Sequence, residues 1–151
     1  MIRFPYLPFA IPGAGTASFV TIHRPIIPIH ALGTSGKDEL RALVDTGADD
    51  TMLPDSLIDQ LGVVIQPGDH AIIIGIEGSK TVARFGTVDL EIPGPGGGYR
   101  WSARVGFHAG FRIVLGHVGF LEYFTATFNG RSRQLTLTPN GSAPAPASSS
   151  P

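Results

Sequence analysis

The sequence predicts an all-β fold, and three observations carry that expectation. Glycine and proline together supply 33 of the 151 residues, 20 and 13 respectively. Turn-formers at that density suit many short strands better than a helical bundle. Charged residues make up only 15% of the chain, too few for the solvated faces of a set of surface helices. Apolar residues either alternate with polar ones or come in short unbroken runs bounded by Gly, Pro, Asn and Asp, which is strand patterning. The length fits one domain with enough chain to bury a core.

Composition also excludes several function classes. A net charge of −1 leaves no electrostatic footprint for nucleic acid or an anionic membrane. With no cysteine, disulfides, thiol nucleophiles and Cys-based metal sites are out. His23, His30, His70 and His108 are scattered without ligand spacing, so surface or turn positions are expected for them, and no metal or cofactor. No apolar run reaches the length of a membrane span. Arg3 precedes an apolar stretch, which raises a signal peptide. Pro5, Pro8 and Pro12 interrupt that stretch and no small-x-small cleavage site follows, so a cytoplasmic chain is expected.

In chain order, residues 1–18 read as an irregular, proline-pinned segment. Residues 19–22 and 26–32 are β-branched and strand-like, with Pro25 and Pro28 placing the second at an edge or a bulge. Residues 33–38 form a polar hairpin loop; Ala31 and Asp38 spoil its partial likeness to a phosphate-binding loop. Ala42-Leu43-Val44 is a buried strand ending in Asp45. Residues 54–61 predict a two-turn helix with Pro54 at its first position, Leu57, Ile58 and Leu61 inward and Gly62 at its stop. A long hairpin follows, tipped at 75–78, whose second arm alternates Val88, Leu90 and Ile92 with Thr87, Asp89 and Glu91. Residues 93–98 are a glycine-rich turn, with no helix after it to make a phosphate cradle. Residues 101–107 alternate, 111–116 predict a buried strand, and 117–124 a short helix. Residues 124–128 and 134–137 pair as a hairpin opened by Asn129-Gly130. The folded unit is expected over 19–138, with 139–151 a disordered Pro/Ala/Ser-rich tail.

The stretch around Asp45 organises the rest. A carboxylate at the tip of an apolar strand is expensive to bury unpaired, so it is expected to be hydrogen-bonded, paired or held for catalysis. Asp45-Thr46-Gly47 alone is a weak tripeptide that an ordinary Asx turn also explains. Its setting is specific: Ala42-Leu43-Val44 precedes it, Ala48-Asp49-Asp50-Thr51 follows, and Ile113-Val114-Leu115-Gly116 lies about 70 residues on, with an Ile/Gly hairpin between. On these residues the chain resembles the retropepsin-like, single-domain aspartic proteases over most of 26–138. The resemblance implies a retropepsin-like acid protease barrel with one or two short helices and one half-site per chain.

It further implies an aspartic endopeptidase in which Asp45 of each copy in a homodimer activates a water. Thr46, Gly47 and Gly116 would support the active site. Ala48, Asp49, Asp50, Ile74, Gly75, Ile76 and Val114 would meet an extended peptide or protein substrate, with 74–78 as a flap; Ile72 adds to the apolar lining. Ala48 offers no hydroxyl to the Asp45 carboxylate, which points to a mildly rather than strongly acidic optimum. The chain departs from the retroviral pattern at His117, where an Arg usually pairs with the acid that Asp49 matches; a protonated imidazole is the expected substitute. The helix at 54–61, Glu77 at the hairpin tip and the long tail depart too. Two other readings remain: a catalytically silent retropepsin-fold dimerisation or peptide-binding module, and a protease acting only on its own chain or a fused partner.

Overall fold

The structure, a computed structural model, describes residues 1–15, 18–95 and 98–142. Of the tail expected over 139–151, the part from residue 143 lies outside those residues, as do positions 96 and 97 of the glycine-rich turn; Pro139 ends a strand and Asn140 N–H donates to the Tyr123 carbonyl at 3.0 Å. Twelve strands and one short helix are assigned among the described residues. The all-β expectation is met. The strands are β1 (Ile2–Pro5), β2 (Leu7–Pro12), β3 (Phe19–Arg24), β4 (Ile26–Leu32), β5 (Lys37–Val44), β6 (Met52–Pro54), β7 (Ile65–Ile74), β8 (Lys80–Ile92), β9 (Tyr99–His108), β10 (Val114–Leu115), β11 (Phe124–Asn129) and β12 (Gln134–Pro139), with α1 (Leu57–Leu61) after β6.

Seven strands form the main sheet in the order β4-β5-β10-β6-β9-β8-β7, and a further β4–β8 pairing joins His30–Leu32 to Asp89–Glu91. That pairing closes six strands into a barrel, and closure removes edges that would otherwise be open to association. Pro28 sits on β4 ahead of the β8 pairing, where the strand is bonded only to β5, as its missing N–H requires. Alternation fills the interior: Ile27, Ile29 and Ala31 of β4, Val88, Leu90 and Ile92 of β8, and Trp101, Ala103 and Val105 of β9 are all buried. Trp101 anchors an aromatic cluster with Phe120 and Phe124, at ring-centroid distances of 5.9 and 5.2 Å. Its indole N–H donates to the Gly119 carbonyl at 2.8 Å, so the polar handle of a buried ring is satisfied.

Several local expectations are corrected. The N-terminal segment, expected to be irregular over 1–18, forms strands over residues 2–5 and 7–12: β1 pairs with β12, from Ile2↔Leu137 to Pro5↔Gln134, and β2 pairs with β3. Prolines exclude helix, but they permit edge strands. The helix after β6 spans only five residues; Pro54 belongs to β6, Leu57 and Leu61 are buried and Ile58 only partly so. Gly62 stops it in the left-handed region (φ 71°), as expected. Residues 117–123 are turns around a single bridge at Val118, because Gly119 at φ +90° cannot continue a helix, and Phe124 already begins β11. The strand expected over 111–116 shrinks to Val114–Leu115, and Phe111 is 96% exposed. The β11–β12 turn spans four residues, with Arg133 rather than Gly130 at positive φ. Asn129 uses its side chain instead, accepting the Ser132 N–H at 2.9 Å.

On the outer face of the β8–β9 pair, Asp89 accepts from Ser102 Oγ at 2.6 Å and from Arg100 Nη2 at 2.7 Å. The Ser102 hydroxyl first, and the Arg100 guanidinium after it, hold this carboxyl below its ordinary value of 3.8 against the opposing effect of burial. A depressed folded value contributes stability that is present above the unfolded value and lost as pH falls through the folded one. Asp89→Asn should therefore lower the thermal midpoint at pH 7 by about 2–4 °C, equivalent to roughly 1 kcal/mol. Thermal scans across acidic pH should show that deficit shrinking once the pH drops below 3.8.

Candidate active site

Asp45 stands where β5 leaves the barrel. Its backbone is fixed on both flanks: Leu43 N–H donates to Ile113 O (2.9 Å), Val44 N–H to Pro25 O (3.0 Å) and Asp45 N–H to Leu115 O (3.0 Å). Parallel pairing of Val114–Leu115 with Leu43–Val44 sets the register. The side chain then turns back on the loop, where Asp45 Oδ1 accepts the Gly47 N–H at 2.8 Å. Ala48 N–H donates to the Asp45 carbonyl at 3.3 Å and closes the turn. Thr46 and Gly47 are exposed at its tip.

A second segment holds the loop from behind. His117 N–H donates to Ala48 O (3.0 Å), Val118 N–H to Asp49 O (2.8 Å), and Thr51 N–H to Val118 O (3.0 Å). Thr51, fully buried, accepts the Gly116 N–H on its hydroxyl at 3.2 Å. Gly116 is required here by close approach. A Cβ on it would lie 2.4 Å from the Asp50 carbonyl oxygen and 2.6 Å from that of Ala48, both backbone atoms. The His117 side chain does not meet Asp49, as the sequence suggested. Its Nε2 lies 2.8 Å from the Thr46 carbonyl; a carbonyl only accepts, so Nε2 carries the proton there. The imidazole braces the tip of the turn.

Above the loop lies a cleft of about 550 Å³. It is lined from below by Asp45, Ala48, Met52 and Val114, and from above by Ile73, Gly75, Ile76, Glu77, Ser79 and Thr81 of the β7–β8 hairpin. His108 and Arg112 line it as well. The hairpin tip is fixed by Gly75 N–H to Ser79 O (2.8 Å) and Gly78 N–H to Gly75 O (3.0 Å), with Gly78 at φ +75°. Asp45, Ala48, Gly75, Ile76 and Val114 thus meet in one cleft. Thr46, Gly47 and Gly116 shape the loop without lining it.

Asp49, Asp50 and Ile74 are not brought to the cleft wall. Strand parity explains Ile74: Ile73 faces the cleft, so Ile72 and Ile74 point away, at 61% and 67% exposure. Asp50 turns to Arg104, whose Nη1 lies 3.5 Å away while its Nη2 bonds Asp69 at 2.7 Å. Burial pushes the Asp50 carboxyl up from 3.8; Arg104 opposes this, and the neighbouring charges of Asp49 and Asp69 add to it.

Sequence reasoning missed Met52, Ile73, Ser79, Thr81, His108 and Arg112 as cleft residues. Parity counted from the hairpin tip was the signal for Ile73. His108 was expected at a surface or turn position and is buried instead. Its Nδ1 accepts the Gly110 N–H at 3.0 Å, so Nε2 carries the hydrogen donated to the Arg112 carbonyl at 2.8 Å. The ring staples the loop that carries Arg112. Among the described residues no group of three His, Asp or Glu side chains is arranged to hold a metal, and no helix is long and apolar enough to cross a membrane.

Comparison with known families agrees with this geometry. Residues 32–96 match the family profile described as aspartyl protease, a span that takes in β5, the Asp45 loop, α1 and the β7–β8 hairpin. The match supports an aspartic protease family and a hydrolase for this chain. No curated protein matches the chain.

Two substitutions test the loop's support. Thr51→Val keeps the shape but removes the acceptor of a buried N–H, and should cost about 1–3 kcal/mol in denaturant unfolding. Gly116→Ala meets two backbone oxygens that have no room to move, and should cost at least as much, roughly 2–3 kcal/mol.

Proposed function

We propose that the chain is an aspartic endopeptidase of retropepsin-like type that works as a homodimer, each copy supplying one Asp45. The observation that carries this reading is the Asp45 carboxylate itself. It lines the cleft at the end of a buried strand, held by a backbone N–H and in no ion pair among the described residues. Amide hydrolysis without a metal or covalent nucleophile needs one group to take a proton from water and another to give one to the leaving nitrogen. Two carboxylates roughly 3 Å apart share a proton and do both, a pattern general to aspartic proteases. One chain contributes a single Asp-Thr-Gly, so a two-fold axis beside Thr46 and Gly47, the exposed tip of the loop, supplies the second.

An extended peptide would lie between this loop and the β7–β8 hairpin, which acts as the flap that excludes water. Met52, Ile73, Ile76 and Val114 favour apolar side chains beside the scissile bond. Gly47 at the exposed tip of the loop leaves the peptide backbone room beside Asp45, and Asp49, exposed on the same loop, is available to a substrate that reaches beyond the cleft. Asp50 is left to Arg104 and carries no part of the chemistry.

The test is cleavage of an unbiased peptide library at roughly pH 4 to 7.5 by the purified protein beside Asp45→Asn, which changes one oxygen to nitrogen and keeps the loop's shape. Cuts between apolar residues that the variant cannot make, lower by at least about a thousandfold in kcat/KM, are the expected result. A folded, dimeric protein that cuts nothing returns the balance to a silent peptide-binding module.

A further inference from the structure

The β2–β3 hairpin pairs with no other strand among the described residues. It is a separate two-stranded sheet, and not one of its twelve strand residues is buried. Gly13 N–H donates to Ser18 O at 2.8 Å, which makes 13↔18 a hydrogen-bonded pair. With the register Ile11↔Val20, Phe9↔Ile22 and Leu7↔Arg24, every second pair inward is of the same kind. Two consequences follow.

Leu7, Phe9, Ile11, Val20 and Ile22 share one face with Arg24; Phe9 and Val20 are 38% and 51% exposed, while Leu7, Ile11 and Ile22 are half-buried. The backbone groups of Phe19, Thr21 and His23 point away from β2, leaving an open edge with no proline. The opposite edge is blunted, because two of the three outward positions on β2 are Pro8 and Pro12. A lone hairpin in water is marginal by itself, and an exposed apolar face with an open strand edge is an association surface.

The base of the hairpin identifies the occupant. Pro25, which follows β3 directly, accepts the N–H of Val44, the residue before Asp45. The arm is thus rooted at the half-site that needs a second copy. We propose that β2–β3 is the arm through which two copies of this chain associate, β3 pairing antiparallel with its counterpart about Thr21 so that Val20 of each copy lies beside Ile22 of the other and the two apolar faces join into one. This rests on the dimeric reading of Asp45 above and names the surface that forms the dimer. Charge permits it: the strands carry only Arg24 and His23 as basic groups, one at 5.7 Å over the Phe9 ring and the other 3.1 Å from Arg133 of the same chain.

The experiment measures the solution mass of the full chain beside Val20→Lys and crosslinks Thr21→Cys, with peptide cleavage read separately. The expected result is twice the 15.9 kDa chain mass for the native protein and a monomer for Val20→Lys with an unchanged far-ultraviolet spectrum, its apparent dissociation constant raised at least about tenfold. Two-fold pairing at Thr21 brings its Cα atoms to about 5.5 Å, within disulfide reach. Thr21→Cys, the sole thiol in the chain, should then crosslink on oxidation, whereas Thr87→Cys on the barrel's exposed surface should not. A monomeric native protein, a Val20→Lys dimer of native affinity, or Thr21→Cys crosslinking no faster than Thr87→Cys would each overturn the proposal. A native dimer that depends on Val20 but cuts no peptide keeps the arm and removes the protease. Cleavage by a dimer indifferent to Val20 does the reverse.

Discussion

The structure depends on a zip of backbone hydrogen bonds between two loops that are about 70 residues apart in sequence. Residues 43–51 leave the barrel to present Asp45, and a departing loop would ordinarily strand its N–H and C=O groups. Here residues 113–118 take them up one after another, through Ile113 O, Leu115 O, His117 N–H, Val118 N–H and Val118 O. Thr51 adds a hydroxyl from a fully buried position. The backbone carrying the carboxylate is therefore held on both sides by sheet pairing, the parallel β5–β10 pair before Asp45 and the isolated Asp50–Val118 bridge after it. Gly116 is the condition for it, since any side chain there would meet the carbonyls the zip must bring close.

That constraint allows carboxylates near one another in sequence to face different environments. Asp45 meets the Gly47 N–H and the cleft. Asp50, five residues on, meets Arg104, whose guanidinium lies 3.7 Å from the Phe85 ring centroid and also holds Asp69. A ring face beneath the guanidinium and two acids beside it fix that cation in place. Asp50 is thereby neutralised on the far side of the loop, where its charge is kept out of the cleft. A loop with two mobile acids would have no such separation.

Much of this was legible in the residues because the strongest signals are local. Alternation on β8, the apolar run before Asp45, and Gly62 after α1 each have one physical reading. The misreadings have physical causes as well. Residues 117–124 carry helical spacing in Val118, Leu121 and Phe124, yet Gly119 is placed at positive φ by a tertiary demand, the indole of Trp101 reaching its carbonyl. Propensity could not register that contact. Ile72 and Ile74 were chosen over Ile73 since an isoleucine run has no polar partner to fix its parity; only the hairpin's register does. His108 lacked any signal, because a histidine with both nitrogens engaged by its own loop looks like a surface histidine in sequence.

The way the fold treats its other sheet edges bears on how it associates. Six strands close on themselves, and β7 has an irregular register between Ile65 and His70, around Pro67 and Gly68, which disarms an edge by bending it. β11 is bonded on one side only, but Phe124 packs into the aromatic core, so that sheet already has one face covered. Among the described residues, β2–β3 alone combines an open edge with an apolar face of which no residue is fully buried. An edge alone is commonly tolerated, and an apolar residue alone is ordinary surface. Both together, beside a strand that delivers half of a catalytic pair, describe a surface with work left for a second chain.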